Sequence, residues 1–123
     1  MEIVIQSLVG LAALMLTGLG VMSMFAPRKM VGNFAIEPIG TAGLSTIRSV
    51  IGGLFLSSVA LLAVGLLQGQ TILFVAVAAI LGIVAIGRIV GIVTDGFDKA
   101  VVPPLLVEIV MVTILLTAYT QLG

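Results

Sequence analysis

The sequence predicts an all-α membrane protein: a bundle of four antiparallel transmembrane helices with both termini on the non-cytoplasmic side. Three observations carry that expectation. Hydrophobic residues make up 61% of the chain and charged residues 8%, whereas soluble domains run near a quarter charged. The apolar residues gather into four segments, each close to the about 20 residues that a bilayer core requires. The five Lys and Arg residues all fall in or beside the first and third connections between those segments, which by the positive-inside rule places these two connections in the cytoplasm.

The helices are expected at about 3–25, 41–67, 71–93 and 102–122, as one domain over residues 1–123. The first segment carries Glu2 but no cation before its apolar run, and that run is too long for a signal-peptide core, so it reads as a retained helix. Ala26-Pro27-Arg28-Lys29 ends it with a proline and two cations, and a loop through Gly32, Asn33, Pro38 and Gly40 follows. Gln68-Gly69-Gln70 is a tight turn that makes the second and third helices antiparallel neighbours. Thr94 to Lys99 closes the third helix. Pro103 and Pro104 suit the first turn of the fourth, where a missing N–H costs nothing. No segment alternates with period two, so a membrane β-barrel is not expected.

Composition also narrows the chemistry. With no His and no Cys, the chain lacks disulfides, thiolate or imidazole metal ligands, and the base of a Ser–His or Cys–His pair. A net charge of zero offers no basic surface to nucleic acid. No phosphate-binding loop or dinucleotide fingerprint occurs. We expect no enzyme, no cofactor and no metal site.

Three ionisable residues lie within the apolar segments: Arg48, Arg88 and Glu108. At 1.5 Å per residue each lies on the order of 8–10 Å inside the cytoplasmic end of its helix. A charge at the centre of a span costs about 2.5–3.5 kcal/mol. The cost is offset most simply if Glu108 pairs with Arg88, Arg48 or both. The trio sums to plus one, so a second acid or an anion is expected. Asp95 is the nearest acid, on the same helix face as Arg88 and Gly91; Glu37 is a weaker choice. Either the cluster binds an anionic headgroup, an anionic metabolite or a proton, or it locks helix register while the arginines snorkel.

Small residues form a second pattern. Ser45, Ser49, Gly53 and Ser57 recur every four residues, and Gly87 and Gly91 repeat that spacing. Such stripes let helices approach closely, either inside the bundle or across a homodimer interface. Gly52 and Gly53 remove bulk beside Arg48.

Together, Arg48-x-x-x-Gly52-Gly53, Gly87-Arg88-x-x-Gly91, Asp95-Gly96 and Glu108 after two prolines resemble a family of small bacterial inner-membrane proteins known only as a domain of unknown function. The resemblance runs from about the first loop onward. It implies four helices and a signature made of Arg48, Gly52, Gly53, Arg88, Asp95 and Glu108. Thr46 and Ile51 stand where the family pattern leads one to expect an acidic or amide residue and an aromatic. The resemblance brings no activity with it.

Two functions are consistent with these residues. One is a membrane protein that holds a lipid, a hydrophobic small molecule or a partner protein against the charged cluster. The other is a small dimeric proton-coupled transporter with Glu108 as its coupling carboxylate. Small multidrug exporters share the length and helix number, but their key acid lies in the first helix, where this chain has no charge after Glu2.

Overall fold

The computed structural model describes residues 1–122. Among them all regular structure is helical. We number the helices α1 (Glu2–Phe25), α2 (Pro27–Phe34), α3 (Gly40–Gln68), α4 (Ile72–Asp95) and α5 (Lys99–Leu122). Helices α1, α3, α4 and α5 are long and apolar enough to cross a membrane. The four expected spans are therefore present, with ends displaced by at most three residues, at the start of α5. By length and composition this is a multi-pass membrane protein.

The chain forms two compact units. One comprises Gly10–Ala63. It holds most of α1, all of α2 and most of α3. Met24 of α1 lies against Gly52, and Gly20 lies against Leu56, so α1 and α3 run in opposite directions here. Leu16 and Ile47 are buried in this unit, as is Leu62. Two buried hydroxyls, Ser23 and Ser58, are satisfied locally by donating to the carbonyls of Leu19 and Leu54 at 2.7 and 2.9 Å.

Helix α2 is an addition to the expected fold, which has a loop there. Pro27 stops α1 but also opens α2, because a proline at the first helical position gives up an N–H that needs no partner. The helix ends on Ala35, whose φ of 54° is left-handed, and Ile36 N–H closes back on the Val31 carbonyl at 3.2 Å. Pro27 and Met30 are buried, whereas Arg28 and Lys29 are exposed. Phe34 stacks on Phe55 of α3 with ring centroids 6.2 Å apart.

Helix α3 contains a π-helical stretch at Ile47–Ile51. Gly52 N–H reaches the Ile47 carbonyl, five residues back. One such turn holds an extra residue and rotates everything before it relative to everything after it. The four-residue spacing of Ser45, Ser49, Gly53 and Ser57 therefore does not make one straight stripe.

The other unit comprises Met1–Val9 and the residues from Val64 on. Its main packing joins α4 to α5: Arg88 meets Glu108 and Gly82 faces Val112, an antiparallel pairing. Phe74, Val77 and Leu81 of α4 are buried here, with Met111, Leu115 and Ala118 of α5. The turn after α3 uses Gly69 at φ 67°, a conformation that favours glycine. It brings Phe74 onto Gly65, where a Cβ would meet the ring at 2.7 Å. Asp98 starts α5 by accepting from Ala100 N–H at 2.8 Å, and Pro103 and Pro104 occupy its early turns as expected.

Candidate functional site

The chemistry of the second unit is gathered between α4 and α5. Arg88 Nε donates to Glu108 Oε1 at 2.6 Å, which is the only ion pair among the described residues. Both residues lie inside apolar stretches, Arg88 among Ile86, Gly87, Ile89 and Val90, and Glu108 among Leu106, Val107, Ile109 and Val110. Their environments differ. The Glu108 side chain retains 10% of its accessible surface and that of Arg88 retains 34%. The carboxylate thus sits between the helices, and the guanidinium lies at their edge.

Neither side chain is fully used. Oε2 of Glu108 is buried without a hydrogen-bond partner. Arg88 spends Nε alone, so Nη1 and Nη2 have no acceptor among the described residues. A guanidinium offers a planar fork of donors suited to two oxygens of a phosphate or carboxylate. Glu108 fixes one edge of this fork and leaves the other open. Gly87, one residue before Arg88, is exposed, and nothing lies within 4 Å of where its Cβ would be. Gly91 is half-buried, and a Cβ there would have only Asp95 Oδ2 for a neighbour, at 3.9 Å. These two glycines leave space along α4 beside Arg88.

Asp95 does not close the network. It is exposed at the end of α4 and enters no ion pair among the described residues. The charge of an acid at the membrane edge can be solvated, so it has no need of a buried partner. Glu37, exposed before Pro38, also has no ion pair among the described residues.

Arg48 has a different task. Within its own unit its Nη1 donates to the Met24 carbonyl at 2.7 Å. Met24 lies in the last turn of α1, where carbonyls lack intrahelical donors and a cation is favoured by the helix dipole. Gly52, one turn later, is buried against Met24; a Cβ there would stand 3.1 Å from its N and 3.2 Å from its Cβ. Arg48-x-x-x-Gly52 is thus a device for seating α3 on the end of α1. Sequence reasoning gave α1 no part in the arginine chemistry, because a backbone carbonyl leaves no mark on residue type.

The small-residue stripe departs from the packing expected of it inside the bundle. Ser45, Ser49 and Ser57 are exposed, and no atom lies within 4 Å of a Cβ on Gly53. Ser49 turns its hydroxyl onto the Ser45 carbonyl at 2.7 Å. Close approach is made by Gly20 and Gly52 instead. No cluster of three or more acidic residues that could hold a metal occurs among the described residues.

No curated protein and no solved structure matches this chain. A family profile does, over residues 4–119, and takes in Arg48, Gly52, Arg88 and Glu108 alike. The chain belongs to the DUF4345 family, a domain of unknown function.

Proposed function

We propose that this protein binds an amphiphile with an anionic headgroup, a lipid or a hydrophobic small molecule, at Arg88 on the α4–α5 edge. One observation carries the reading. Arg88 sits in an apolar helix with a third of its side chain exposed, Nε held by Glu108, and both Nη groups without an acceptor among the described residues. A charge is costly at that depth, and an oxyanion with an attached apolar tail would satisfy the fork and cover the apolar surface around it. The role is binding rather than catalysis: no nucleophile–base pair accompanies the ion pair. We place the protein in a bacterial inner membrane, as an antiparallel bundle with the Arg88 end facing the cytoplasm and both termini outside. The grouping of all five cations near two connections supports that orientation.

The test compares retention of phosphatidylglycerol with that of diacylglycerol of the same acyl chains, by native mass spectrometry in mild detergent. The phosphate lipid is expected to stay bound to the wild type and to be lost from Arg88→Gln. Equal retention of the two lipids, or an unaltered Arg88→Gln, would overturn the reading. A proton-coupled carrier is the second reading, favoured by the bare Oε2 of Glu108. It requires proton flux in liposomes that Glu108→Gln abolishes.

A further inference from the structure

The first connection carries a second cationic feature, separate from Arg88. The unit Gly10–Ala63 holds three cations, Arg28, Lys29 and Arg48, against one acid, Glu37. None of the four enters an ion pair among the described residues, and all three cations are exposed. The fold gathers this surplus at the junction of α1 and α2. Helix α2 starts at Pro27, two residues after α1 ends at Phe25, and Lys29 N–H donates to the Ala26 carbonyl at 3.1 Å. Arg48 reaches the same junction from α3, through its bond to the carbonyl of Met24, four residues before Arg28. That bond uses Nη1 alone, and Nη2 and Nε have no acceptor among the described residues.

Helix α2 is amphipathic. Pro27 and Met30 are buried and Phe34 stacks on Phe55, whereas Arg28 and Lys29 are left exposed. The helix joins two spans, α1 and α3, so connectivity puts it where the spans leave the bilayer. Large apolar side chains are exposed on either side of it: Phe25 before, Ile36 and Ile39 after. Cations and apolar groups exposed together decide what covers this face. A soluble anion would satisfy the cations and leave Phe25, Ile36 and Ile39 in water. A bilayer surface that contains acidic phospholipid takes both, with oxyanions for the cations and the acyl boundary for the apolar groups.

We infer that α2 is an interfacial helix whose Arg28 and Lys29, together with Arg48 of α3, bind the headgroup phosphates of acidic phospholipids in the leaflet on which it lies. A Lys or Arg near such a surface favours it by about fivefold. The contact therefore holds the first connection down on a negatively charged membrane and releases it on a neutral one. It shares no residue with the α4–α5 edge and does not depend on the Arg88 reading.

The experiment places the intact protein in nanodiscs of phosphatidylcholine, with and without roughly 30% phosphatidylglycerol, and follows hydrogen exchange at the α2 amides Val31 to Phe34. Exchange is expected to be about fivefold slower on the acidic membrane, since a ligand that binds the folded helix alone slows its opening. In about 0.5 M salt the difference should shrink to within about twofold. The double variant Arg28→Gln, Lys29→Gln alters two exposed side chains and should remove the difference, whereas Arg88→Gln should leave it unchanged. Equal exchange of the wild type on the two membranes would overturn the inference with no variant needed. A difference that survives the double substitution would overturn it as well. So would one that Arg88→Gln removes, which would assign the acidic lipid to the α4–α5 edge.

Discussion

Arg88 and Glu108 share one short hydrogen bond, 2.6 Å from Nε to Oε1, yet they are buried to very different degrees. The difference makes the two halves of the pair unequal under mutation. Without Glu108, the half-buried guanidinium can turn outward and snorkel. Without Arg88, a carboxylate that is nine-tenths buried has no partner for either oxygen. Breaking a buried pair from the side that strands the buried charge costs about 3–5 kcal/mol. We expect Arg88→Ala to cost that much, and Glu108→Gln to cost about 1 kcal/mol. Thermal unfolding of both variants in one detergent checks the order. A larger loss for Glu108→Gln would contradict the burial asymmetry.

The adjacent glycines of α3 make a sharper pair. An alanine methyl at position 52 would meet the N, Cβ and Cα of Met24 between 3.1 and 3.3 Å. Two of these are backbone atoms and cannot swing aside. We expect Gly52→Ala to destabilise by about 1–3 kcal/mol, the usual range for overpacking. At position 53 nothing lies within 4 Å. There Gly53→Ala should be neutral or stabilise by about 0.5–1 kcal/mol through its effect on helix formation. Melting temperatures of the two single variants test the contrast, and equal effects would show that α1 does not approach at Gly52.

The spans were legible because apolarity over about 20 residues has few structural outcomes in a membrane. The Arg88–Glu108 contact was legible for a related reason: few charges lie in apolar helices, and opposite signs at similar depth meet. Other features left weaker traces. Pro27 reads equally as the end of one helix or the start of the next, so the sequence predicts a loop where α2 forms. The π turn at Ile47–Ile51 has no residue signature, and it shifts the serines off the stripe that their spacing implies. Sequence displays side chains and so points Arg48 toward the acids, whereas its partner is the Met24 backbone. Charge balance and a shared helix face point Asp95 toward Arg88, but at the end of α4 it is exposed and needs no buried partner.

The Arg48–Met24 contact predicts a local effect rather than a global one. The Arg48 side chain makes a single hydrogen bond to a backbone carbonyl, which contributes about 1 kcal/mol. That amount is enough to loosen the last turn of α1, where Ala26 N–H bonds to the Met22 carbonyl at 2.8 Å. In Arg48→Ala we expect hydrogen exchange at Phe25 and Ala26 to accelerate about fivefold, with exchange in the α4–α5 pair unchanged. Arg48→Lys should restore part of the protection, since an ammonium still favours a helix C-terminus. An acceleration spread evenly over all helices would refute the capping role.

Ala35 supplies the last prediction. It ends α2 at φ 54° and ψ 39°, the only non-glycine residue with positive φ among those described. In that conformation an alanine Cβ crowds the backbone, at a cost of about 1–2 kcal/mol that glycine avoids. The Ile36 N–H to Val31 carbonyl bond behind it is the motif that glycine commonly closes. Ala35→Gly should therefore stabilise the end of α2, by about 0.5–1 kcal/mol once the greater freedom of glycine in the unfolded chain is deducted. Slower exchange at Ile36 N–H, together with a small rise in melting temperature, is the expected result. Faster exchange at that amide would mean that the left-handed cap is not the conformation that ends α2.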